Sequence, residues 1–285
     1  MDELNTTIRK NVRAALSEDL GHGDLTASLV SADAVARARV ISREDGVLCG
    51  GPWFAEVFRQ VDDGVVIDWL AQDGDRVSAD TTLCQIHGVA RSILTAERAA
   101  LNFLQTLSGT ATTANRYAAA IAGTGAKVLD TRKTLPGLRI AQKYAVRCGG
   151  CFNHRMGLYD AILIKENHIR SAGTIKAAVA AAADQGAQVP IEVEIESLSQ
   201  LAEALDAGVD VVMLDNFDTN DMQEAVKINS VHARSAKLEA SGNVSLETIR
   251  AYAETGVDYI SVGSLTKHVR ALDLSLQFST ETSAS

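Results

Sequence analysis

From about residue 126 onward, short β-branched runs alternate with Ala-rich stretches that carry apolar residues at helical spacing. The runs are Lys127–Asp130, Ala161–Lys165, Ile191–Glu196, Val209–Asp215, Lys237–Ser241 and Tyr259–Gly263. Between them the spacing predicts helices over Leu138–Arg147, Thr174–Asp184, Leu198–Ala207, Asn220–Asn229 and Ser245–Glu254. A repeated strand–helix order implies parallel strands joined by crossover helices. Right-handed crossovers wind such a sheet one way, toward a barrel. Six runs fall short of the eight strands of a closed barrel. The expected fold is therefore α/β, with an open, incomplete barrel over residues 110–270.

Residues 1–109 follow another pattern. A helix is predicted over Thr6–Glu18, alternating patches at Ala36–Arg43 and Val65–Leu70, and a longer amphipathic helix from about Ser92 to Leu107. Gly50-Gly51 and Asp73-Gly74-Asp75 punctuate them as turns. This reads as an α+β sandwich domain, with the tail 271–285 returning to pack on it.

Asp130, Lys165, Asp215, Ser241 and Gly263 each close a predicted strand. In a barrel of this kind the C-terminal strand face carries the chemistry. One polar residue there is readily a helix cap; five at equivalent places are harder to explain that way.

Charge sharpens the picture. The 285-residue chain has a formal net charge of -9, yet Leu129–His168 holds seven basic against three acidic side chains, a local +4. Such an island in an acidic protein points to an anionic ligand. Arg132, Lys133, His154, Arg155 and Lys165 converge if the first two strands are neighbours, and Arg presents a fork matched to carboxylate or phosphate. The bland alternative for each is a surface ion pair, which stabilises little. In Glu192-Val193-Glu194-Ile195-Glu196 the carboxylates share one strand face. If it points inward, magnesium, lysine or ligand hydroxyls must meet them; otherwise they face the helix layer or solvent. Glu194 and Asp215 are the metal or hydroxyl candidates. Ser241-Gly242-Asn243 and Val262-Gly263-Ser264 offer backbone N–H groups near helix starts, where phosphate binds. Lys165 also fits a Schiff-base lysine.

The overall acidity argues against nucleic-acid binding. No apolar run reaches membrane-span length, and MDELNTTIRK lacks a signal-peptide core, so a cytoplasmic, membrane-free protein is expected. Of the four cysteines, Cys148 and Cys151 form a C-x-x-C with His154 three residues on, but three ligands fall short of a structural zinc site, and free thiols are favoured.

The motifs GHGDLTA, EDGVLCG, TAERAALNFLQTLSG, LDTRKTLPGLR, NHRMGLYDAILIKENHI, VEIE, VMLDNF, EASGN and ISVGSLTKHVRALDLS occur in this order. Together they resemble the quinolinate phosphoribosyltransferases, the carboxylating nicotinate-nucleotide pyrophosphorylases. The resemblance implies an N-terminal α/β sandwich, an open barrel and a homodimer or dimer-based hexamer with sites shared between subunits. It also implies transfer of phosphoribosyl from phosphoribosyl pyrophosphate to quinolinate with Mg2+. The products are nicotinate mononucleotide, pyrophosphate and carbon dioxide, on the way to NAD. Carried over by motif, Arg132, His154, Arg155 and Lys165 line the quinolinate site, and Arg98 reaches in from the neighbouring subunit. Lys133 and Lys165 neutralise pyrophosphate; Glu194 and Asp215 hold ribose hydroxyls and magnesium. Lys133, Lys165, Glu194 and Asp215 make up the catalytic set. Thr131, Ser241, Gly242, Asn243, Val262, Gly263 and Ser264 complete the substrate cradle.

One departure stands out: the family has three successive glycines before Asn-His-Arg, and here the third is Cys151. If that position needs a positive φ, a side chain costs roughly 1 kcal/mol or more. Three rivals remain open at this stage: a related transferase with another acceptor, such as the molybdenum-transport-associated relatives, a Schiff-base lyase, and a non-enzymatic anion sensor.

Overall fold

The computed structural model describes residues 2–186 and 188–280. The chain divides into two compact units, one of residues 1–115, 134–150 and 266–285, the other of 116–133 and 151–265. The expected boundary at 109/110 falls inside a helix, and the segment 134–150, counted above with the barrel, groups with the first unit.

In the first unit, strands β1 (Val35–Ser42), β3 (Val66–Trp69), β5 (Thr82–Val89) and β12 (Leu274–Thr280) form one antiparallel sheet in the order β12-β1-β5-β3. β1 alternates exposed and buried side chains, so one face of the sheet is apolar. The short strands β2 (Gly46–Val47) and β4 (Arg76–Val77) pair separately. Helices α1 (Asp2–Leu20), α2 (Gly51–Val61), α3 (Ala90–Ala120) and α4 (Arg139–Cys148) complete the elements, with α3 continuing into the second unit. α3 extends well past the predicted Leu107, because burial of Ala111 and Ala114 outweighs the weak helix propensity of the Thr and Asn residues around them.

The core of this unit forms around Trp53, Phe54 and Phe58 of α2, each almost fully buried. The Trp53 ring tilts against Tyr144 at 5.5 Å, and its indole N–H donates to Asn11 Oδ1 at 3.2 Å. α2 itself escaped the pattern reading, since its apolar residues cluster without a long repeat. Its start is held by the Asp73 carboxylate, which accepts from the N–H groups of Gly50 and Gly51 at 3.0 Å each.

In the second unit, six parallel strands follow the order β6-β11-β10-β9-β8-β7. They are β6 (Lys127–Leu129), β7 (Ile162–Ile164), β8 (Ile191–Ile195), β9 (Val211–Asp215), β10 (Lys237–Ser241) and β11 (Tyr259–Ser261). Connecting helices are α5 (Glu166–Ala172), α6 (Ile175–Ala183), α7 (Leu198–Ala207), α8 (Thr219–Val231), α9 (Ile249–Ala253) and α10 (Ser264–Lys267). The barrel is open, as its strand count predicts. The opening lies between the first two strands, so the adjacency on which the convergence of the basic residues was made conditional is not met. β6 pairs instead with the last strand, β11, and its free edge is taken by a parallel bridge from Leu129 to Phe152. Phe152 donates to Val128 O at 2.8 Å and accepts from Asp130 N at 3.0 Å, so the loop after α4 satisfies the edge that β7 leaves bare.

Close approach, not a special turn, demands glycine at position 109 in α3. A Cβ there would stand 2.0 Å from the carbonyl oxygen of Arg270. Gly109→Ala should destabilise the fold by about 1–3 kcal/mol or more, because backbone and not a flexible side chain must yield. Urea denaturation monitored by tryptophan fluorescence reads this directly; an unchanged midpoint would contradict the packing.

Candidate active site

The polar strand ends of the second unit gather two neighbouring groups of charge. The first forms around β8 and β9. Lys165, directly after β7, donates its ammonium to Glu194. The Lys165 backbone N–H is held by His168 Nδ1 at 2.9 Å, which seats the lysine at the start of α5. Asp215 ends β9, and its carboxyl is pushed above the ordinary aspartate value, by burial first and then by the negative Glu194. Lys165, the Asn216 amide and Lys133 act in the opposite sense. Lys133 and Thr131 lie over Gly263: a Cβ on that glycine would meet Lys133 Cδ at 3.1 Å and Thr131 Oγ1 at 3.6 Å. Ser264 follows, with its hydroxyl 3.2 Å from that of Tyr117, and Val262 is buried in the ladder.

The second group is built on the loop after Gly150. Asp130 is fully buried, and its carboxylate accepts from Asn153 Nδ2 at 2.6 Å and from the His154 N–H at 2.9 Å. His154 Nε2 then lies 3.0 Å from Glu192 Oε2 and 3.5 Å from Glu239 Oε2, two acids inside the barrel. Each acid keeps a buried Oε1 with no hydrogen-bond partner. Arg155 stands near Arg132, and burial first, then the like charge of Arg132, lowers its hold on its proton. Arg132 Nε is buried without a partner. Asp160 accepts from the N–H groups of Met156 and Gly157, fixing the loop beyond Arg155. A cavity of about 560 Å³ opens beside His154, Arg155, Glu192 and Glu239, bounded by Lys127 and Tyr259 at the strand starts.

Cys151 does not adopt a positive φ; the left-handed residue is Gly150, at 91°. The substitution therefore carries no backbone strain, and the buried thiol is directed at the Ala118 backbone.

Several expectations need correction. Arg139, Lys143 and Arg147 group with the first unit, and Lys143 is 1% exposed, so it is not a surface charge. In sequence the three share a helix with apolar periodicity, which buried Lys143. Cys148 lies with Cys49 and Asp73, while His154 lies with the two glutamates. α9 begins at Ile249 and not Ser245, so Ser241-Gly242-Asn243 does not abut a regular helix. Arg98 is not among these corrections; it is exposed on α3 in the first unit.

Asp130, Asn153, Glu192, Glu239 and Asn216 escaped role assignment. For Glu192 and Asp130 a signal was present, since Glu192 alternates in phase with Glu194 and Asp130 closes a strand; Asn153, Glu239 and Asn216 are visible only through their partners. Among the described residues, two sets have metal-ligand atoms within 4.8 Å of one another: Cys49–Asp73–Cys148 and His154–Glu192–Glu239. In the first, Asp73 already caps α2 and accepts from Tyr144 at 2.8 Å. In the second, histidine and acid are bonded to each other.

Comparison with known proteins decides the family. The model of the quinolinate phosphoribosyl transferase N-terminal domain matches residues 24–108, and that of the C-terminal domain matches residues 110–277. The chain belongs to the quinolinate phosphoribosyltransferase family. It is 43% identical to the carboxylating nicotinate-nucleotide pyrophosphorylase of Mycobacterium leprae, covering 94% of this chain and 96% of that one. It is 40% identical to a probable enzyme of the same name from Bacillus subtilis, over 94% and 92% of the two chains. The solved nicotinate-nucleotide pyrophosphorylase of Francisella tularensis superposes with a TM-score of 0.93 at 50% identity, covering 96% and 97%.

The buried acids set a pH dependence. Glu239 is pushed up to about 8, by burial first and then by Glu192. A group that ionises near 4.5 when unfolded and near 8 when folded holds its proton more tightly in the fold. Its contribution is complete below pH 4.5 and is lost as pH rises through 8. Unfolding free energy should fall from pH 5 to 9, and Glu239→Gln should flatten that fall. Parallel slopes for the two proteins in pH-dependent denaturation would refute it.

Proposed function

We propose that this protein transfers the phosphoribosyl group of phosphoribosyl pyrophosphate to quinolinate, with decarboxylation, giving nicotinate mononucleotide, pyrophosphate and carbon dioxide for NAD synthesis. Family membership over nearly the whole chain supports the reaction. The observation that carries it to specific residues is the crowding of Arg132 against Arg155 beside the cluster of Lys133, Lys165, Glu194 and Asp215.

Two guanidiniums that press on each other are stabilised when an anion arrives between them. Quinolinate brings two carboxylates, and Arg132 has a buried Nε without a partner to offer. Arg132 and Arg155, with His154, bind and orient the ring so that its nitrogen faces the anomeric carbon. That nitrogen attacks as pyrophosphate leaves, through a cation-like ribosyl transition state. Glu194 and Asp215 favour this positive charge, and Lys133 and Lys165 favour the departing diphosphate. The ring nitrogen, now positive, stabilises the electron pair left on the neighbouring carbon when the carboxylate departs as carbon dioxide, and that pair then takes up a proton. Lys165 serves as a cation: its ammonium is engaged by Glu194, which disfavours the Schiff-base alternative.

Magnesium fits this donor set, since Glu194 and the partly buried Asp215, whose proton affinity is raised by burial and then by Glu194, are hard oxygen ligands. Glu194 and Asp215 would hold it together with substrate oxygens. The chemistry such an ion would supply is neutralisation of charge on the leaving pyrophosphate. We further assign a homodimer-based assembly in which Arg98 completes the neighbouring subunit's site, and a cytoplasmic location. No helix among the described residues is long and apolar enough to cross a membrane.

Carboxyl-labelled quinolinate should release carbon dioxide in step with pyrophosphate, and Lys165→Ala should lower kcat/KM by about 100-fold or more. Turnover of nicotinate with no release from quinolinate would remove the assignment. Arg98→Ala and Lys165→Ala homodimers should each be inactive, whereas a mixture allowed to exchange subunits should regain part of the activity. No recovery after verified exchange would sink the shared site.

A further inference from the structure

Three left-handed residues meet at the ends of β9 and β10. Asn216 has φ 57°, Gly242 has φ 93° and Asn243 has φ 50°. Among the described residues only Asp80 otherwise shows a positive φ without being glycine. Strained backbone of this kind persists where the surroundings over-determine it, and it clusters at functional sites. Here the surroundings are specific. The Asn216 N–H donates to Ser241 O at 2.9 Å, extending the ladder one residue past Asp215. Its side-chain Nδ2 donates to Asp215 Oδ2 at 2.9 Å. Its Oδ1 accepts from Asn243 Nδ2 at 3.2 Å. The same Oδ1 fills the space over Gly242, where a Cβ would come within 2.2 Å of it.

We infer that Asn216 is a positioning residue that couples the Asp215 carboxylate to the Ser241–Asn243 loop, and so aligns the ribose and phosphate subsites for phosphoribosyl pyrophosphate. This rests on the reading of Asp215 and that loop given above. The amide has one donor and one acceptor engaged in the two subsites at once. Rotation of either alone would leave Asp215 free to turn and would open the space against Gly242. A carboxylate that must face ribose carbon and metal needs one fixed orientation, and a neutral donor from the next residue supplies it without adding charge.

Glycine at 216 tests this cleanly, because it tolerates φ 57° better than asparagine does. Asn216→Gly should keep or raise the melting temperature. Its dissociation constant for phosphoribosyl pyrophosphate, measured calorimetrically without quinolinate, should rise about tenfold, the worth of one hydrogen bond to a charged group. Affinity for quinolinate alone should be unchanged. Asn216→Asp, which keeps the acceptor for Asn243 but sets a charge against Asp215, should bind the sugar donor no better than the glycine variant. Parent-like affinity in Asn216→Gly would overturn the inference, as would a lowered melting temperature that accounts for the loss. Asp215→Ala, measured alongside, separates the two claims. If it too binds phosphoribosyl pyrophosphate normally, the reading of the site fails; if it alone loses binding, only the role of Asn216 fails.

Discussion

A carboxylate with no access to water holds the cationic part of this site in place. Asp130 closes the first barrel strand, and its oxygens bind the Asn153 amide and the His154 N–H. Burying such a group is costly unless donors surround it. The donors here come from the segment that runs along the free edge of β6. The backbone of Phe152 seals the edge that the open barrel leaves unpaired, and the Asp130 carboxylate fixes the segment just after it, from which His154 and Arg155 project.

The balance of charge inside the barrel follows from that placement. Arg132 and Arg155 repel one another, and so do Glu192 and Glu239. His154 bridges to the acids, and Lys165 to Glu194. Glu192 and Asp160 offset part of the charge on Arg155, yet the Arg132 Nε and one oxygen on each of Glu192 and Glu239 stay buried without a hydrogen-bond partner. A ligand carrying carboxylates, together with a sugar that turns cationic as its diphosphate departs, answers the exposed requirement. Packing such groups without ligand works against stability, a compromise common in sites that must recognise charge.

The order of elements was readable from periodicity, as all six parallel strands and their main helices show. The polar residues at the strand ends were readable too, since Asp130, Lys165, Asp215 and Ser241 all stand where the run lengths placed them. What resisted reading was pairing. Nothing local announces that β6 joins β11 and leaves β7 at the other edge, because hydrogen-bond partners in a parallel sheet lie far apart in the chain. Lys143 misled for a related reason: its charge is visible in the chain, whereas its burial depends on what α4 packs against.

By itself the order of residues determined the fold class, the family and the identity of most charged side chains in the site, since repeat spacing and long motifs are properties of the chain alone. Tertiary structure decided which charges meet. It buried Lys143, turned Glu192 inward to His154, and set Asn216 between two loops. Electrostatic and hydrogen-bond energies depend on separations of a few ångströms, and those separations exist only once distant strands have closed side by side.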